Sequence, residues 1–113
     1  MRWPVPGLAS VVIEVLEPAA LEFEAAAAWY EQRTRGLGAR FLDELEDTFD
    51  LIEQMPLAGS PWLLPEIPPG TRHVPLRTFP HSVVYVTEPR VVVVAVVHGS
   101  RDPEYWIDRL GEL

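Results

Sequence analysis

Hydrophobic and polar positions along the chain change their period several times, and each change marks an element. The simplest stretch is Val91 to Val97, an apolar run of six valines and one alanine with no polar break. β-Branched residues lose rotamer freedom in a helix but fit a pleated sheet. Alternation would mean one wet face, whereas an unbroken run means that both faces are covered. The run therefore predicts a central strand. It ends abruptly in His98-Gly99-Ser100-Arg101-Asp102. A rigid buried strand that delivers a His and an Arg at its exit is a good platform for a site.

Upstream, Val11 to Leu16 reads as a first strand. Pro18 suits the first turn of a helix, where its missing N–H is not needed. Residues from Ala19 to about Arg35 are rich in Ala, Glu and Leu, all good helix formers. Phe23, Ala26, Ala27 and Tyr30 recur on one face, with Glu22, Glu24 and Glu31 largely elsewhere. Gly36 in Gly36-Leu37-Gly38 can act as a left-handed terminator. A second helix runs from roughly Ala39 to Met55, with a buried stripe of Phe41, Leu45, Thr48 or Phe49, and Ile52, flanked by Leu42 and Met55. Pro56 ends it. So short a link makes the two helices antiparallel.

Leu57 to Gly70 holds four prolines and reads as a loop. Strand patterns follow at Thr71–Thr78, Ser82–Thr87 and Val91–Val97, joined by turns at Phe79-Pro80-His81 and Glu88-Pro89-Arg90. Strands joined so tightly form an antiparallel meander. Asp102-Pro103-Glu104 supplies a cap, a first-turn proline and a first-turn acid for a last short helix, which Tyr105 and Trp106 dock. The prediction is a single α+β domain over residues 11–113: N-terminal strand, antiparallel helix hairpin, three-stranded antiparallel meander and short C-terminal helix. Residues 1–10, interrupted by Pro and Gly, read as an extension.

Composition narrows the function. The chain has 113 residues, 48% hydrophobic, enough for one core. With no Cys there is no thiolate metal site and no Cys nucleophile. No apolar run approaches the ~20 residues that span a bilayer, and Pro4, Pro6, Gly7 and Glu14 interrupt any signal-like start. A cytoplasmic protein with no membrane partner is expected. The net charge of −8 argues against a general nucleic-acid binder. Its distribution is uneven. Eleven acids face Arg33, Arg35 and Arg40 between Glu14 and Gln54, whereas Arg72, Arg77, Arg90 and Arg101 face Glu88 alone between Pro68 and Arg101. No phosphate-binding Gly loop, Ser nucleophile elbow or metal-ligand spacing is visible, so neither a cofactor nor a metal is expected. Glu44, Asp47 and Glu53 read as a solvated helix face.

Three blocks carry a family resemblance. The first is Ala27-Ala28-Trp29-Tyr30-Glu31 with Gly36-Leu37-Gly38-Ala39-Arg40-Phe41-Leu42-Asp43-Glu44-Leu45. The second is Gly70-Thr71-Arg72 with Pro75-Leu76-Arg77-Thr78-Phe79-Pro80-His81 and Val84-Tyr85. The third is His98-Gly99-Ser100-Arg101-Asp102-Pro103-Glu104-Tyr105-Trp106. Together they resemble the RelE/ParE superfamily of type II toxins, also described as plasmid stabilisation proteins, and are closest to ParE-like members. Two departures stand out. Residues 1–10 precede the usual start, and His81 stands where an aromatic usually follows Phe-Pro.

The resemblance implies a toxin that inhibits growth and is neutralised by a cognate antitoxin encoded by a neighbouring gene. ParE-like members are described as blocking DNA gyrase by binding. RelE-like members are ribosome-dependent mRNA endonucleases, in which basic groups stabilise phosphate charge while a His, Tyr or acid moves protons. On that alternative Arg72, Arg77, His98, Arg101 and Tyr105 are the candidate catalytic residues, with the arginines converging on the end of the central strand. The absence of Lys and the acidic balance favour gyrase over the polyanionic ribosome and mRNA. A third reading is a degenerate, non-toxic binding module of the same fold. For the antitoxin, Trp29, Tyr105 and Trp106 are the candidate contacts, and the acidic hairpin suits a segment carrying Arg or Lys.

Overall fold

The computed structural model describes residues 2–4, 12–62, 65, 67–99 and 105–113. In chain order the elements are β1 (Arg2–Pro4), β2 (Val12–Val15), α1 (Glu17–Arg33), α2 (Leu37–Gln54), β3 (Ser60–Pro61), β4 (Thr71–Pro75), β5 (His81–Val86), β6 (Val92–His98) and a 3₁₀ helix (Ile107–Glu112). The strands form one sheet in the order β1-β2-β6-β5-β4-β3. The α+β class, helix hairpin and antiparallel meander agree with the sequence. The sheet is wider than the pattern implied. Arg2–Pro4 pairs antiparallel with β2, so part of the N-terminal stretch is sheet, and Ser60–Pro61 adds a two-residue edge to β4.

The valine run is the centre of the molecule. β6 pairs parallel with β2 and antiparallel with β5, and Val92 to Val97 are all buried. Val93 and Val96 face one core with Phe23, Phe41, Phe49, Leu45 and Ile52 of the hairpin. Val92, Val94, Ala95 and Val97 face a second core with Ile67 and Trp106. The alternation slips because Val94 is an extra residue: Val84 pairs with Ala95 and Tyr85 with Val93. Such a bulge turns two neighbouring residues to one face and adds local twist.

The hairpin forms where the sequence places it. Pro18 lies in the first turn of α1 beside Glu17, where an acid favours the positive end of the helix dipole. Gly36 takes φ +85°, the left-handed conformation that Gly adopts without a steric penalty. The carboxylate of Glu31 accepts from the Gly36 and Gly38 N–H groups, both at 3.0 Å, and so caps α2 from the end of α1. On α2 the buried residues are Gly38, Phe41, Leu45, Thr48, Phe49 and Ile52, while Met55 is exposed. Glu44, expected on a solvated face, instead accepts from the backbone N–H of Thr78 at 2.7 Å and from its hydroxyl, tying α2 to the β4–β5 turn.

The C-terminal helix is described from Ile107. The expected start at Asp102-Pro103-Glu104 lies outside the described residues.

At Gly38 the two helices approach closely. A Cβ there would lie 2.5 Å from the Ala27 carbonyl oxygen and 3.0 Å from Glu31 Cβ. Gly38→Ala is expected to lower stability by about 2 kcal/mol through overpacking, whereas Gly111→Ala, with nothing within 4 Å, stays within about 0.5 kcal/mol. Urea denaturation of the two variants checks this.

Candidate functional site

Two adjoining clefts run along the outer side of α1, over the ends of β5 and β6. One, of about 640 Å³, is lined by Ala25, Ala26, Trp29, Tyr30, Pro80, His81 and His98. The other, of about 370 Å³, is lined by Leu21, Glu22, Ala25, His81, Val96, His98 and Tyr105. They share Ala25, His81 and His98. The site exists because α1 lies across the sheet and carries alanines where a larger side chain would close the gap.

The floor is a pair of histidines. His81 and His98 are directly opposed on β5 and β6, with ring centroids 5.0 Å apart and near-perpendicular planes. His81 is 7% exposed and also packs edge-on against Tyr30 and Phe41. It fills the aromatic position as packing, which is how an aromatic-to-His exchange there reads from sequence. Its Nδ1 is buried without a hydrogen-bond partner among the described residues. Burial, and then the neighbouring His98, hold its pKa down at about 4. His81 is therefore neutral at physiological pH.

The wall beyond His98 is a polar clasp. β2 pairs with β6 only at Val92 and Val93, because the chain turns into α1 at Glu17. Past that point the β6 edge is completed by side chains. Glu22 accepts from the Val96 N–H at 3.1 Å, and Arg109 donates to the Val94 carbonyl at 3.0 Å. The two also meet each other in a bidentate pair, at 2.9 and 3.0 Å, and the Tyr105 hydroxyl donates to the same carboxylate. One carboxylate thus joins α1, β6 and the C-terminal segment.

The sequence-predicted residues are distributed as follows. His98 and Tyr105 line the clefts. Arg72 lines neither; its Nη1 donates to the carbonyls of Gly59 at 2.7 Å and Leu57 at 3.2 Å, holding the loop before β3. Arg77 lies beside Asp47 at 3.8 Å, exposed on the other side of the hairpin. Arg101 lies outside the described residues, so the expected convergence of arginines is not formed by Arg72 and Arg77. Trp29 is 50% exposed, as expected for a partner contact. Trp106 is not: it is fully buried, 5.3 Å from Trp62 between ring centroids, and has no surface to offer. It serves as the core residue that seats the C-terminal segment. No group of three or more His, Asp or Glu able to hold a metal occurs among the described residues.

Glu22 and Arg109 were missed as a pair. Glu22 stands four and eight residues before Ala26 and Tyr30, on the flank of the buried stripe, and that spacing was the available signal. Arg109 gave none, since a partner 87 residues away leaves no local pattern.

Residues 13–103 match the family model described as the ParE toxin of the type II toxin–antitoxin system, parDE. The chain belongs to the ParE toxin family. No curated protein matches it. The family match takes in the hairpin, the meander and both histidines, but it stops before Tyr105 and Arg109. In this ParE-family chain the clasp is therefore completed from beyond the matched span.

Two outcomes test the site. Glu22→Gln leaves the Arg109 guanidinium facing an amide in a mostly buried setting, and should lower stability by about 2 kcal/mol or more in urea titrations. The second concerns pH. His81 has a folded pKa of about 4, below its ordinary value of 6.5, so the unfolded chain binds more protons between those limits. Its contribution is present above pH 6.5 and lost as pH falls toward 4. His81→Phe should gain on the parent protein in denaturation at pH 4.5 relative to pH 7.5. A difference independent of pH contradicts the assignment.

Proposed function

We propose that this ParE-family chain arrests growth by binding an essential target in the cytoplasm, DNA gyrase, rather than by cutting RNA. A cognate antitoxin encoded by a neighbouring gene holds it silent. The single observation that carries this reading is the family match over residues 13–103.

The state of the candidate catalytic groups supports binding over chemistry. Arg72 is committed to loop carbonyls, and Arg77 stands beside an acid. Glu22, the carboxylate that lines the cleft with His98, is already engaged by Arg109, Tyr105 and a backbone N–H, so it is poorly placed to act as a general base. The net charge of −8 adds repulsion from ribosomal RNA. It leaves a protein target accessible, since electrostatic complementarity there needs only a local basic patch.

Purified protein is expected to inhibit gyrase supercoiling, and induced cells to stop growing with a DNA-damage response, relieved by co-expression of the neighbouring gene. Transcripts cut within codons while supercoiling continues would establish the ribosome-dependent endonuclease instead. Full growth at good soluble expression would leave a binding module without toxicity.

A further inference from the structure

The last turn of α2 and the residues after it present a group of exposed apolar side chains. Leu51 is 39%, Met55 58% and Leu57 69% exposed. Leu51 and Met55 are i, i+4 neighbours along the helix. Leu57 follows in the tight turn that the Ala58 N–H closes on the Met55 carbonyl at 2.9 Å. Single exposed apolar residues are ordinary on a surface, whereas a group of them marks a contact. Beside this group a cleft of about 410 Å³ opens between α2 and β4, with Asp47, Asp50, Leu51, Val74 and Arg77 in its lining. It shares no lining residue with the clefts at the histidines.

The turn is pinned from the sheet. The hydroxyl of buried Tyr85 donates to the Pro56 carbonyl at 2.7 Å and accepts from the Gly59 N–H at 2.9 Å. Arg72 donates to the carbonyls of Leu57 at 3.2 Å and Gly59 at 2.7 Å. Gly59 is required for this fit, since a Cβ there would lie 2.6 Å from the Tyr85 hydroxyl oxygen. Sheet residues thus fix the backbone of a turn whose own large side chains are exposed. A knob held in this way loses little conformational freedom on binding, which is what an anchor requires.

Charge selects the occupant. From Asp43 to Leu57 the chain has six acids and no base. Burial, and then the neighbouring Asp43 and Asp47, push the Glu46 carboxyl up. Two arginines border the patch and both are engaged, Arg72 by the loop carbonyls and Arg77 beside Asp47 at 3.8 Å. A nucleic acid or an anionic lipid surface would be repelled, and a second copy would set six acids against six. A protein surface with an apolar socket ringed by Arg or Lys meets no such repulsion.

We propose that Leu51, Met55 and Leu57 are the anchor by which this chain grips its target, entering an apolar socket while Asp47 and Asp50 meet Arg or Lys at its rim. This rests on the gyrase reading above and adds to it the surface used and the chemistry of the site it takes. An enzyme that holds DNA does so with Arg and Lys against the phosphates. The rim therefore belongs to a DNA-holding surface of gyrase, and DNA competes for it.

Calorimetry of the full-length protein with purified gyrase tests this, each variant first checked for unchanged circular dichroism and thermal midpoint. Met55→Ala combined with Leu57→Ala should weaken binding about 30-fold or more, the usual scale of a hot spot, and supercoiling inhibition with it. Asp47→Asn with Asp50→Asn should flatten the salt dependence of binding, and a short linear DNA duplex should compete with the parent protein. Glu17→Gln with Glu24→Gln, exposed acids of α1, should stay within about threefold. Gyrase binding that the Met55→Ala, Leu57→Ala variant leaves unchanged overturns the anchor while leaving the gyrase reading intact. No binding and no inhibition by the parent protein overturns that reading itself. Binding lost in the variant without any competition from DNA overturns the DNA-holding surface as the site. Antitoxin affinity lost in the same variant, with gyrase affinity kept, assigns the turn to the antitoxin and overturns the proposed occupant.

Discussion

Burial of β6 on both faces is the constraint on which the remaining structure depends. A strand covered on one side by the hairpin and on the other by Trp106 and Ile67 leaves its backbone groups no access to water, so every one must be paired within the protein. On the β5 side the ladder does this. On the other side β2 stops after two residues of pairing, and the bulge at Val94 presents an additional carbonyl. Glu22 and Arg109 occupy the position a strand would have filled, one accepting and one donating. As a mutually paired acid and base they also neutralise each other in a setting only 18–20% exposed. Packing thus creates a polar demand, and meeting that demand fixes α1 and the chain's last turn to the sheet.

The position of α1 in turn shapes the clefts. Held by Glu22 at one end and by the Tyr30–Phe41–Phe79 ring cluster at the other, the helix spans the sheet with alanines toward the gap. Its outer apolar residues remain exposed because no element of the described chain reaches them. His81 in the floor stays neutral because burial disfavours its charged form. Fold, cleft and electrostatics follow from one strand and the means of covering it.

Much of this was legible in the sequence. The valine run, the stripe of Phe41, Leu45, Phe49 and Ile52, the left-handed Gly36 and the meander turns all carry period or turn chemistry that survives without tertiary context. The two-residue β3 and three-residue β1 did not, because so short a strand shows no alternation and exists only through its partner. The exposure of Trp29 was readable from its place opposite the core stripe. The burial of Trp106 was not, since a Trp beside a Tyr at a helix start fits either a docking surface or a core anchor, and the residues that enclose it, Trp62 and Ile67 of the proline-rich loop and the outer face of β6, are distant in sequence. Arg72 and Arg77 looked like site residues by type and proximity to the strands. Their partners, loop carbonyls and Asp47, belong to segments that sequence distance conceals.

On the proposed reading, the antitoxin partner contacts the side of α1 that borders the clefts, above a sheet that does not itself change. Hydrogen exchange on the full-length protein, free and saturated with its antitoxin, addresses this directly. Amides of α1 from Leu21 to Arg33 and of the turn at Phe79–His81 should gain protection on binding, while β6, already buried on both faces, keeps the slow exchange it has alone. Protection gained instead along Leu51–Leu57 of α2 and its following turn, with α1 unchanged, would contradict the claim.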